Sequence, residues 1–198
     1  MSIDSEIIEI EFKGPYYWVS ENPEQCIHSC DYHRHSGIYL WTIEYEGKEL
    51  IYYVGQTGRW FSTRMQEHFK EHASGGYHLY DLFKFRQGQR VSLWPGRYVA
   101  SQRTTIPEFL ERYDEFAPII KELAGIYRFW LAPVTLETRL RNRLEAAISL
   151  PLYDQPGVVG KFQEKGIRYV PRWESEAPMQ VVILNRSQFH GLQEILSF

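Results

Sequence analysis

The chain has 198 residues, enough for one domain with a sizeable core and too few for two full ones. Its apolar fraction of 43% and charged fraction of 24% suit a soluble globular protein, and no window approaches the roughly 18 apolar residues of a membrane span. The acidic opening MSIDSEIIEIEFKG lacks a signal pattern, and two cysteines are too few for a disulfide framework, so a cytoplasmic protein with no membrane partner is expected. The net charge of −3 hides an asymmetry. Residues 1–58 hold 3 basic against 10 acidic side chains, a balance of −7, whereas residues 59–103 hold 8 against 3, a balance of +5. A polyanion is therefore drawn to the middle of the chain, unless these charges are solvated helix faces.

In chain order, IIEIEF alternates like a half-buried strand, and KGPYYWVSENPEQC reads as turns, so residues 1–35 are expected to form an N-terminal extension. GIYLWTIEY and ELIYYVGQ are β-branched and aromatic runs joined by EGK, which predicts a β-hairpin. FSTRMQEHFKEHASGG predicts a helix with Ser62 or Thr63 as N-cap, Phe61, Met65 and Phe69 at four-residue spacing, and a stop at Gly75-Gly76. YHLYDLFKFRQGQRVSLWPGRYVA reads as a short helix followed by an irregular or strand segment. TTIPEFLERYDEFAPIIKELAG predicts a helix interrupted at Pro118, and IYRFWLAPV a third strand. TLETRLRNRLEAAISL predicts a helix with a threonine cap, a stripe of Leu136, Leu140, Leu144 and Ile148, and an end at Pro151. A loop-rich stretch follows, then a strand at MQVVILN and a short helix.

Polar residues stand at the joints of these elements. GIY (Gly37, Ile38, Tyr39) opens the first hairpin strand, YVG (Tyr53, Val54, Gly55) closes the second, and QTGR leads into the helix bearing Arg64 and His68. Residues four apart share a helix face, so Arg64 and His68 point to one place, toward which a packed hairpin can direct Tyr39 and Tyr53. In this order the residues resemble the GIY-YIG nuclease superfamily over roughly residues 36–154, with 73–125 as an insertion. The resemblance implies an α/β fold: a small three-stranded sheet flanked by helices, here with an N-terminal extension (1–35), a mid-chain helical insertion and a C-terminal strand-helix addition (155–198).

It also implies hydrolysis of phosphodiester bonds in DNA with Mg²⁺ or Mn²⁺ as cofactor. Tyr39 would be the general base or its close helper, Tyr53 and His68 would orient or deprotonate it, Arg64 would clamp the phosphate, and Glu145 in RLEAAISLPLYD would hold the metal. Glu137 is the competing ligand, and Lys48 in the hairpin turn is a candidate activator of Tyr39. Gln56, Thr57, Arg59, Lys84, Arg86 and Arg90 are the candidate substrate-binding residues. Where family members often carry an asparagine after the proline, this chain has Asp154 and Gln155.

Two other clusters compete for a role. CIHSCDYHRH packs Cys26, His28, Cys30, His33 and His35 into ten residues, a density that suits zinc but a spacing that matches no usual finger, so a loop is the simpler reading. DLFKFRQGQRVSLWPGR interleaves basic and aromatic residues in the insertion, as a strand-tracking surface would. The partner expected is nucleic acid, most simply DNA, with a homodimer as one way to cut both strands. The alternatives are a catalytically silent module of the same fold that binds nucleic acid or protein, and an unrelated enzyme built on the Cys/His cluster.

Overall fold

The computed structural model describes residues 7–98, 104–165 and 169–198; Arg103 of the basic stretch lies outside them. In chain order the elements are β1 (Ile7–Ile10), β2 (Lys13–Tyr16), β3 (Gly37–Tyr45), β4 (Lys48–Thr57), α1 (Phe61–Ala73), β5 (Leu79–Tyr80), α2 (Leu82–Arg86), β6 (Ser92–Trp94), α3 (Ile106–Glu111), α4 (Tyr113–Ile126), β7 (Arg128–Pro133), α5 (Thr138–Tyr153), α6 (Val158–Phe162), β8 (Gln180–Ile183) and β9 (Ile195–Ser197). The class is mixed α/β.

The central sheet is antiparallel in the order β2-β7-β3-β4. It has four strands where three were expected, because the turn-like KGPY segment pairs with β7 as an edge strand. Pro15, which lacks a ladder donor, is tolerated at such an edge. The hairpin forms as predicted: Glu46 (φ 47°) and Gly47 (φ 76°) are both left-handed, the two-residue turn whose twist matches the strands.

A bulge interrupts the hairpin where Trp41 opposes Tyr53 and Thr42 opposes Ile51, leaving Tyr52 as the extra residue. Tyr52 and Tyr53 consequently face the same core, where strict alternation would split them. The sheet is covered on both faces. Tyr39, Trp41, Tyr52 and Phe129 meet Phe61 and Met65 of α1, with Phe85 and Phe162, in an aromatic core. Ile38, Leu40, Val54 and Trp130 meet Leu144, Ile148 and Leu152 of α5 in a second core.

Further corrections concern element ends. α1 begins after Trp60, which makes no side-chain cap, rather than at Ser62 or Thr63. Its first amides are taken by main chain instead: Phe61 N–H donates to the His35 carbonyl (2.8 Å) and Ser62 N–H to that of His33 (3.0 Å). The Cys/His segment is thus a loop that caps the helix. The helical break in the insertion falls at Arg112 between α3 and α4, while Pro118 sits inside α4. Likewise Pro151 lies inside α5, whose N-cap is Glu137.

The C-terminal addition opens with the short helix α6 where a loop was expected, and then runs strand, 3-10 turn and strand rather than strand and helix. β8 pairs in parallel with β1 and antiparallel with β9, so the two chain extensions form one three-stranded sheet. That sheet closes the second core with Ile10, Val181, Ile183, Leu196 and Phe198. Among the described residues no helix is long and apolar enough to cross a membrane.

Candidate active site

Helix α1 packs on one face of the central sheet, α5 on the other, and β4 is the sheet edge between them. Of the residues singled out from the sequence, Tyr39, Tyr53, Arg64, His68 and Glu145 gather around that edge. Tyr39 is fully buried, and its hydroxyl lies 2.8 Å from His68 Nε2 and 3.3 Å from Arg64 Nε, which donates to it. The ring of Tyr53 packs against those of Tyr39 (6.2 Å) and His68 (6.0 Å). One turn apart on α1, Arg64 and His68 reach the same phenol, as their spacing requires.

Two glycines explain the hairpin signatures physically. A Cβ on Gly55 would lie 2.3 Å from Tyr39 Cζ and 2.4 Å from its hydroxyl, so the Tyr39 ring occupies the space that any side chain there would take. Gly37, at φ 148°, would place a Cβ 2.2 Å from the Ala132 carbonyl of β7. The motif glycines therefore let β7 and the Tyr39 ring close in.

The electrostatics set the protonation states. Burial first, with the Arg64 guanidinium and His72 adding to it, holds His68 well below the usual histidine range, so its ring is neutral. Its Nδ1 lies 2.9 Å from the Tyr77 hydroxyl. Tyr39, His68 and Tyr77 form a continuous chain of hydrogen-bonding groups. Burial also pushes the Tyr39 phenol up, partly opposed by Arg64, and pushes Tyr77 to about 12.

Glu145 is half-buried on α5. Burial raises its carboxyl to about 7, opposed by the backbone N–H of Gln56 and by Arg64 and Arg141. Neither arginine is ion-paired with it: Arg64 pairs with Glu67 (3.2 Å), and Arg141 donates to Gln56 Oε1 (2.6 Å) and the Leu136 carbonyl (2.8 Å). The competitor Glu137 is exposed, two turns away at the start of the helix. Lys48 pairs with Tyr45, six residues along β3 from Tyr39, or roughly 20 Å of strand, and takes no part.

The other expected substrate contacts divide. Gln56 spends its amide on Asn142 (3.0 Å) and Arg141, and Thr57 is buried, accepting from Arg59 N–H (3.0 Å), so both position the β4-α1 connection. Arg59 is exposed but forked onto Glu67 at 2.5 and 2.8 Å. Arg90 pairs with Glu164 (2.5 Å), and Lys84 and Arg86 lie on α2, outside the cleft beside Tyr39. Asp154 caps α5, and Gln155 Nε2 donates to the Gly191 carbonyl (2.5 Å), so neither supplies an amide to this site. Among the described residues no group of three or more His, Cys, Asp or Glu is placed to hold a metal, and the Cys/His loop is no exception.

Sequence reasoning missed Tyr77, which follows the Gly75-Gly76 stop of α1 and comes back to His68. It also missed the cleft of about 310 Å³ beside it, lined by residues that include Trp41, Tyr53, Arg64, His68, His72, Tyr77 and Tyr98. The only local signal was the aromatic density after the glycine pair. Compared with protein-family models, curated proteins and solved structures, the chain matches none.

Proposed function

We propose that this protein is a divalent-metal-dependent endonuclease of the GIY-YIG type that hydrolyses phosphodiester bonds in DNA. The observation that carries the reading is the convergence on one sheet edge of a phenol, a neutral imidazole, a guanidinium and a carboxylate, drawn from β3, α1 and α5. Hydrolysis of a phosphodiester needs a proton acceptor, a cation for the phosphate charge and a stabiliser of the leaving oxygen.

In this reading a phosphate oxygen draws the Arg64 guanidinium off the Tyr39 hydroxyl, which uncovers the phenol as the planar fork engages the phosphate. The attacking water passes its proton to Tyr39 as Tyr39 passes its own to His68 Nε2, and the Nδ1 proton moves on to Tyr77. The Tyr77 proton leaves through the cleft. A neutral His68 is what makes this relay possible, since an imidazolium accepts nothing.

Glu145 fits a hard cation: it is a half-buried carboxylate with no ion pair among the described residues, and one such oxygen donor with waters and phosphate oxygens is a common way to hold Mg²⁺ or Mn²⁺. When bound there, the ion supplies stabilisation of charge on the leaving oxygen.

The second reading, a silent module that binds nucleic acid or protein, is favoured by one observation, that Tyr39 has no exposed surface. Cleavage of plasmid and branched DNA in Mg²⁺ and Mn²⁺ separates the two. Wild-type protein is expected to nick or cut, with Arg64→Ala and Glu145→Ala, shown folded by circular dichroism, each lowering kcat by about 10²–10³-fold. Binding without cleavage by the wild type selects the silent module.

A further inference from the structure

The cleft beside Tyr39 has walls of three origins. Trp41, Tyr52 and Tyr53 come from the hairpin and Arg64, His68 and His72 from α1, whereas Tyr77, His78, Pro95 and Tyr98 come from the insertion and Glu164 and Lys165 from the C-terminal extension. The insertion thus builds one side of a largely aromatic pocket whose opposite side is the candidate active site. At about 310 Å³ it lies at the small end of ligand pockets, a size for one planar ring system rather than for a folded segment.

Its chemistry suits a nucleobase. Aromatic faces take up any base by stacking, and the cationic Arg64 at the active-site end fixes where the attached phosphate lies. Behind the wall, Trp41 Nε1 and His72 Nε2 are buried with no hydrogen-bond partner. Burial and the neighbouring His78 lower His72 to about 3, so it is neutral and offers one donor and one acceptor. A polar atom left unpaired in a protein interior is costly, so these two rings gain by turning toward a base in the cleft, whose edge carries the complementary groups.

We propose that the cleft receives one unstacked base of the DNA strand, next to the phosphate that Arg64 clamps. The inference rests on the nuclease reading and names the form of substrate it takes: DNA with an unpaired or extruded nucleotide at the cut. It also gives the insertion a part in recognition that differs from the expected basic surface of Lys84, Arg86 and Arg90.

The test uses the full chain and duplexes that differ at single positions around the mapped cut. Replacing one particular nucleotide by an abasic residue is expected to lower kcat/KM at least tenfold, and leaving that nucleotide unpaired to raise it at least tenfold. Tyr98→Ala, at an exposed wall position, is expected to shrink both effects below threefold. If the wild type cuts but every abasic position changes kcat/KM by less than twofold, the base pocket is refuted and the nuclease stands. If the wild type cuts no DNA, the nuclease reading falls, and the pocket is read by tryptophan fluorescence in titrations with deoxynucleoside 5′-monophosphates. Saturable quenching that Tyr98→Ala weakens at least fivefold then supports the pocket, and its absence overturns it.

Discussion

Gly55 has no side chain and no chemistry, yet its position decides where the Tyr39 phenol lies. With a Cβ due 2.3 Å from Tyr39 Cζ, Gly55→Ala is expected to displace the ring from His68, cost about 1–3 kcal/mol of stability in urea unfolding and lower cleavage at least 100-fold. Unchanged cleavage would mean that the phenol position is unimportant. Glu145 sets a pH dependence whose sign follows from its raised carboxyl. Folded protein keeps that proton up to about pH 7 and the unfolded chain only to about 4.5, so this contribution to stability is full below 4.5 and is lost as pH rises through 7. Glu145→Gln, which does not ionise, is expected to match the wild-type Tm near pH 4.5 and exceed it at pH 8. Mg²⁺ is expected to raise the wild-type Tm at pH 8 and leave that of the variant unmoved. The positions of Tyr39, Arg64, His68 and Glu145 on their strand and helices were legible from local pattern, whereas the roles expected of them came from the resemblance. Tyr77 was not, since the link from its hydroxyl to His68 depends on how the chain turns back after Gly76.

At the level of elements, the hairpin turn offers a test that touches none of the candidate-site residues. Glu46 is a non-glycine residue at φ 47°, a conformation asparagine adopts far more readily, so Glu46→Asn is expected to gain about 0.5–1 kcal/mol in urea unfolding. A loss would show that the Glu46 side chain matters more than its backbone. The hairpin and β7 were readable as β-branched and aromatic runs, and α1 and α5 by a 3.6-residue period. The bulge at Tyr52 was hidden, because ELIYYVGQ is a continuous apolar and aromatic run with no alternation to break, and only the pairing with β3 shows the extra residue. The prolines misled in a consistent way: Pro118 and Pro151 are punctuation in the sequence but lie within α4 and α5, where tertiary packing outweighs one missing hydrogen bond.

For the whole molecule, the unexpected feature is that the two chain extensions pair with each other and close the second core. Phe198 is buried, its carbonyl accepts from the buried Arg143 (2.7 Å), and its backbone pairs with Met179 (2.8 and 2.9 Å). Phe198→Ala is expected to cost about 3 kcal/mol, read by urea unfolding, although it lies on the far side of the sheet from Tyr39. That pairing was illegible because β1 and β8 stand more than 160 residues apart and neither strand carries a mark of its partner. The loop before β3 has a consequence of another kind. Because main-chain carbonyls of His33 and His35 hold the start of α1, those two contacts depend on the path of the loop rather than on which side chains it carries. Dropping one residue between Cys30 and His35 would draw those carbonyls away from the Phe61 and Ser62 amides and loosen the end of the helix that leads to Arg64 and His68. The loop acts as a ruler for the first turn of α1: its length decides which carbonyls meet the helix.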